Sequence, residues 1–215
     1  MLAAGGGDTA GGRWSGVRRL LLKYRKEGDA SFLSHREAMR AMERALRRSG
    51  LPLVFSEGFS PRPRMSFSPA LPLGVAAEAE YLEVAVDGEV DEVEAKEKLN
   101  QALPIGLQVS EVLSLAPTMP KLSRWARYGL FRLEEGGETS YLLLALGGEG
   151  QGRLKDALAA LAEKSGAPAG SCMVTRAGLY ASPDEVFEDA PEGVLFYDGA
   201  RRELVEMTGE TEEGK

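Results

Sequence analysis

The chain is short of the residues that most redox and metal chemistry needs. Of its 215 residues one is a cysteine, Cys172, and one a histidine, His35. A single thiol excludes an internal disulfide, a cysteine zinc site and a three-cysteine iron–sulfur cluster within the chain. A single imidazole excludes every metal site that needs two histidines from one chain. No apolar run approaches the roughly 18 residues of a membrane-spanning helix. The N-terminus has neither the basic region nor the apolar core of a signal peptide. These absences predict a cytoplasmic protein with no metal site and no cofactor of its own. Nucleotide signatures are missing too: there is no Gly-x-x-x-x-Gly-Lys and no Gly-x-Gly-x-x-Gly. The aromatic–glycine motif of sheet-based RNA recognition is absent from the central strands.

What is present suffices for a folded body. The chain is 43% hydrophobic and 27% charged, and its length allows one large domain or two small ones. The net charge of −7 conceals an asymmetry. Residues 13–67 hold 13 basic against 5 acidic side chains, whereas residues 68–215 hold 13 against 27. A basic segment on an acidic chain points to a local anionic partner. The alternative is surface ion pairing in an arginine-rich chain, since 18 of the 26 basic residues are Arg.

Residues 1–16 are glycine-rich and residues 208–215 are acidic; both read as disordered ends. Alternation predicts a first strand over 17–25, with Leu20, Leu22 and Tyr24 on one face and Arg19, Leu21, Lys23 and Arg25 on the other. Ser34-x-x-Glu37 is a capping box that opens a helix, and Gly50 stops it. A short strand is predicted over 51–55 and another over 80–86. Asp91 caps a second helix that buries Ala95, Leu99, Ala102 and Leu103, and 107–115 returns as a strand. The order β-α-β-β-α-β is the split βαβ pattern, so the predicted fold is α+β, with a ferredoxin-like unit over 17–115. Residues 116–120 read as a boundary before a smaller α+β unit over 116–207. That unit contains a hairpin (128–134 with 141–146), a helix around 154–161, and strands at 172–180 and 194–197.

The first helix is strongly two-sided. Ala38, Met39, Ala41, Met42, Ala45 and Leu46 form one arc; Arg36, Arg40, Arg44, Arg47 and Arg48 lie opposite. The Arg ridge runs about 16 Å. It is either the solvated outer face of the helix or a row of guanidinium forks for phosphate. Residues 56–67 are the most unusual stretch. Pro61 and Pro63 fix the backbone around Arg62 and Arg64. Phe59 can stack on a base and Ser60 can bond a phosphate; alternatively the segment is a rigid connector. Phe67 is expected in the core.

The strand cations Arg19, Lys23 and Arg25 face away from the ridge. The preferred account is that the second half covers them and supplies carboxylates to pair with them. His35, at the first helical position beside free N–H groups, is a surface residue, an anion contact with Ser34, or a weak candidate for proton transfer. Cys172 reads as a small buried strand residue. Lys121, Arg124, Trp125, Arg127 and Tyr128 either extend a nucleic-acid surface or pack the two halves together.

Four motifs, taken together, carry a resemblance. Gly28-Asp29-Ala30-x-Phe32-Leu33-Ser34-His35, Glu43-Arg44-Ala45-Leu46-Arg47-Arg48, Gly58-Phe59-x-Pro61-x-Pro63 and Leu71-Pro72-Leu73-Gly74-Val75 resemble the radical-SAM-linked protein family, domain of unknown function 2344. The likeness is dense over 17–115 and thinner to about residue 180. The resemblance implies a neighbour, a separately encoded or fused radical SAM enzyme of the B12-binding type, and a genomic setting among ribonuclease and ribosomal-protein genes. Members usually carry His and Lys where this chain has Arg62 and Arg64, which favours anion contact over proton transfer in the loop. They usually carry Leu and Asp at Arg36 and Glu37.

The leading expectation is a non-catalytic, RNA-binding or substrate-presenting accessory protein of a radical SAM enzyme, in translation-related RNA modification. Its anion or RNA contacts would be Ser34, His35, Arg40, Arg44, Arg47, Arg48, Phe59, Ser60, Arg62 and Arg64. Two alternatives stay open. One is an enzyme or carrier for a small anionic metabolite, with a pocket near His35 and the 56–67 loop. The other is a pure docking adaptor.

Overall fold

The computed structural model describes residues 16–148, 150–165, 172–183, 185–186 and 193–207. The two ends predicted to be disordered lie outside these residues, except for Gly16. The architecture is mixed α/β. Among the described residues nine strands form one sheet, in the order 107–115, 17–26, 76–87, 173–180, 128–135, 138–145, 194–198 and 203–206, with 65–67 paired to 76–87 beside that path.

Strand β1 (Val17–Lys26) pairs antiparallel with β3 (Ala76–Asp87) and with β4 (Leu107–Leu115). Its alternation puts Leu20, Leu22 and Tyr24 into a core with Leu82, Val84 and Val86 of β3. Helices α1 (His35–Arg48) and α2 (Glu92–Ala102) close that core with Ala41, Met42, Leu46, Ala95 and Leu99. Both caps form as the sequence predicts. Ser34 accepts from the Glu37 N–H while Glu37 accepts from the Ser34 N–H, and Asp91 accepts from the Glu94 N–H.

The second strand is displaced from its predicted position. Residues 51–55 make only isolated bridges, Leu53 to Val86 and Phe55 to Pro63, and the strand is β2 (Met65–Phe67). Pro52 has no N–H to give, and the Val54 N–H reaches only Ala85 near the end of β3. Residues 65–67 instead lie in register with 82–84.

The outer edge of β3 is shared. Its residues 82–84 carry β2, and residues 76–77 pair in parallel with 175–176 of β7 (Met173–Tyr180). Beyond β7 come the hairpin β5 (Tyr128–Glu135) and β6 (Glu138–Ala145), then β8 (Val194–Asp198) and β9 (Glu203–Glu206). Helix α4 (Leu154–Ser165) packs over this half; its Leu154 and Ala157 join Phe131, Leu142 and Leu144 in a second core.

The segment after β4 crosses the far face of the sheet. The short α3 (Leu122–Trp125) buries Leu122 with Leu21 and Leu179, and Trp125 meets Tyr81 edge-on at 5.1 Å. These aromatics therefore pack the halves together. The strand cations are not paired as expected. Arg19 meets Glu83 at 3.2 Å, Lys23 meets Glu111 at 3.6 Å and Arg25 meets Glu27 at 3.9 Å, all within 17–115. Glu111 stands directly opposite Lys23, Glu83 lies diagonally across from Arg19, and Glu27 is two residues beyond Arg25, so local carboxylates reach these cations first. Cys172 is half-buried, one residue before β7, and packs on the edge of the second core instead of inside it.

Candidate functional site

The Arg ridge and the Pro-rich loop meet. The loop is a hairpin-like excursion whose base is closed by backbone bonds: the Arg64 N–H to the Val54 carbonyl at 2.8 Å, and the Ser56 N–H to the Arg62 carbonyl at 2.8 Å. The Arg62 N–H also donates to Ser56 Oγ at 3.1 Å. With Pro61 and Pro63 beside it, Arg62 has little backbone freedom left. Arg47 binds this loop to α1. Its Nη2 donates to the Pro61 carbonyl at 3.1 Å and to Glu43 at 2.9 Å, and its guanidinium lies 5.2 Å from the Phe55 ring centre.

The predicted contacts thus divide by job. Arg47 holds the loop, and Arg48 donates to the Ala102 carbonyl at the end of α2, at 2.5 Å. The Ser34 hydroxyl is committed to Glu37. Arg40, Arg44, Ser60, Arg62 and Arg64 are exposed, and Phe59 stands wholly in solvent. Phe67 is half-buried against the first core. Arg40 and Arg44 also line a groove of about 430 Å³ with Asp29, Leu33, Glu37 and Ile105.

His35 lies elsewhere. It starts α1, whereas Pro61 meets Arg47 twelve residues on, about 18 Å along the helix. Its ring meets Phe67 edge-on at 6.0 Å. Behind it is a polar cluster that the sequence reading did not single out. Arg176 of β7 is fully buried. Its Nε donates to Glu80 Oε1 at 2.5 Å, Nη2 completes the ion pair with Glu80, and Nη2 also donates to the Pro69 carbonyl at 2.9 Å. Ser68 Oγ donates to Glu80 Oε2 at 3.0 Å. Arg176 Nη1 has no partner among the described residues. Lys26 is buried nearby and donates to the Leu33 carbonyl at 2.8 Å.

Burial sets the protonation here. It pushes the Tyr24 hydroxyl, opposite Glu80 in the ladder, well above its ordinary value, and the Glu80 charge adds to that. It lowers Lys26, with Glu80 acting against the shift. It also lowers His35 below 6.5, again opposed by Glu80 and reinforced by Arg176 and Lys26. At neutral pH the imidazole is therefore uncharged. No hydrogen bond links it to a proton acceptor among the described residues; its ring contact is with Phe67.

The sequence carried a signal for this cluster. Lys26 and Glu80 continue the buried parity of Leu20, Leu22 and Tyr24 on β1 and of Leu82, Val84 and Val86 on β3. An ionisable residue in that register has to find a buried partner. Arg176 had no such marker, because only the sheet brings β7 beside β3.

Among the described residues no group of three or more His, Cys, Asp or Glu side chains is gathered to hold a metal ion. No helix among them is long and apolar enough to cross a membrane. No curated protein matches the chain. Residues 19–166, more than half of the chain and short of Arg176, match the model of a family described as an uncharacterized protein conserved in bacteria, DUF2344; the chain belongs to that family.

Proposed function

We propose that this is a non-catalytic RNA-binding accessory protein that presents RNA to a separately encoded radical SAM enzyme. The observation that carries the RNA part is the bond from Arg47 to the Pro61 carbonyl. It joins the free cations of α1 to those of a rigid loop, in a chain that is acidic elsewhere. The resulting surface has Arg40, Arg44, Arg62 and Arg64 for phosphates and the wholly exposed Phe59 for a base. The neighbouring groove suits a single unpaired nucleotide better than a duplex. The radical SAM partner rests on the family resemblance. The unit over 17–115 is read as ferredoxin-like, on its element order and on the strand order β4-β1-β3-β2.

The test is RNA binding by the wild type and by an Arg40→Glu/Arg44→Glu variant at two salt concentrations. These two residues are preferred to Arg47 and Arg48, whose guanidiniums also hold the structure together. Each phosphate contact contributes a slope of about −0.7 in log K against log salt on single strands. The variant should bind many sequences more weakly and with a flatter slope. Phe59→Ala should cost roughly 1–3 kcal/mol of binding. Equal affinity of variant and wild type, with the radical SAM partner present, overturns the reading. Pulldowns that never recover a radical SAM protein overturn the accessory role.

A further inference from the structure

We propose that the cavity between residues 69–75 and α4 binds a small amphipathic anion: an aliphatic body with one carboxylate or phosphate head. The site lies away from the Arg ridge and does not depend on the RNA reading.

The cavity is a cleft open to the surface, of about 780 Å³, within the range of small-molecule sites. It is lined by Pro72 and Val75 of the 69–75 segment, by Leu144 and Leu146, and by Leu154 and Leu158 of α4. This is the open part of the second core: Val75, Leu144 and Leu154 are otherwise buried. An apolar cleft of this size tends to close, because its lining forfeits contacts. Here the loop wall is pinned from behind. Arg176 Nη2 holds the Pro69 carbonyl, Ser68 is bound to Glu80, and the Gly74 N–H donates to the Ser31 carbonyl at 3.0 Å. Pro69 and Pro72 stiffen what lies between. The buried ion pair thus has a second consequence: it keeps the cavity open.

The rim sets the sign of the ligand. Arg153 and Lys155 line it, at the N-terminal end of α4. Asp156 pairs with Arg153 at 2.9 Å, and Lys155 is exposed with no partner among the described residues. This is a cationic mouth in the acidic part of the chain, on an apolar body. Leu73, two-thirds exposed, extends the apolar lining to the surface. An anionic head at Lys155 with an aliphatic chain inside satisfies both features.

The experiment is calorimetric titration of the full chain with dodecanoate, dodecyl phosphate, dodecanol and dodecyltrimethylammonium, each below its micelle concentration. Both anions should bind, the alcohol at least tenfold more weakly, and the cation not measurably. Decanoate, two methylenes shorter, should bind about tenfold more weakly than dodecanoate. Two exposed positions on α4 give variants expected to fold, checked by circular dichroism. Ala159→Trp fills the cavity and should abolish binding of every probe. Lys155→Glu should weaken the anions at least tenfold and leave dodecanol unchanged. The tighter of the two anions names the head group. Absence of binding by both anions overturns the proposal, as does dodecanoate affinity unchanged in Ala159→Trp. Equal affinity for dodecanol and dodecanoate overturns the assignment of an anionic head.

Discussion

His35 is the only imidazole in the chain, so its proton resonances can be followed without assignment. Burial lowers its pKa below 6.5, which means that the unfolded chain takes up the proton first as pH falls. Stability should therefore be insensitive to His35 above about pH 7 and decline as pH drops through about 6.5. Urea titrations of the wild type and of His35→Gln between pH 5 and 7.5 test this. The variant should lose that part of the slope, and an imidazole titrating at or above 6.5 contradicts it. Arg176 and Glu80 are the costlier residues. Removing one partner of a buried pair costs about 3–5 kcal/mol, because the other charge is left stranded. Arg176→Met should show a loss of that order in urea, and Arg176→Met/Glu80→Met a smaller one. A double variant that loses the sum of the single losses would mean that the two charges are not coupled.

Among the elements, α1 is both a core helix and a support for the loop. Its inward face of Ala38, Ala41, Met42, Ala45 and Leu46 is buried, while its outward Arg residues share no single task. Arg47→Ala removes a bond to Pro61, a bond to Glu43 and the contact with Phe55. It should cost about 1 kcal/mol of stability and raise hydrogen exchange at the Ser56 and Arg62 amides. Arg44→Ala should do neither. The turn into β4 depends on Gly106. Its φ is +86°, and a Cβ there would lie 2.6 Å from the Glu27 carbonyl oxygen and 2.7 Å from Ala30 Cβ. Both neighbours are held: the Glu27 N–H donates to the Gly106 carbonyl, and the Ala30 N–H donates to the Glu27 carbonyl. Gly106→Ala is expected to cost more than about 1 kcal/mol, read as a lower urea midpoint with an unchanged slope.

At the scale of the whole molecule, the two halves share one sheet through a short seam. The backbone link is the pairing of 76–77 with 175–176, backed by Arg176 on Glu80 and by Leu122, Trp125 and Leu179 against Leu21 and Tyr81. A seam so dependent on buried contacts should make unfolding cooperative. With Trp14 replaced by Phe, Trp125 fluorescence reports the seam while far-ultraviolet circular dichroism reports both halves. The two transitions should coincide in urea. A fluorescence change well before loss of the circular dichroism signal would mean that the halves separate first.

The elements of 17–115 were legible because each carries a local physical cause. Alternation set β1 and β3, capping side chains set α1 and α2, and Gly50 and Gly106 set where helices end and turns begin. The Arg ridge was legible for the same reason, since helical spacing alone gathers its residues. The position of β2 was not, because 51–55 and 65–67 compete for the same edge of β3 and hydrogen-bond register decides between them. Nor was the division of labour within the ridge, where Arg47 and Arg48 are taken up by carbonyls that are near only after folding. Of the cluster behind His35 only Lys26 and Glu80 were marked, by the buried parity of their strands; Arg176 and the α4 cavity belong to the tertiary structure. Arg176 is 96 residues from Glu80, and no local propensity joins them. The sheet brings β7 to β3, and the energy of an unpaired buried charge then holds the pair together.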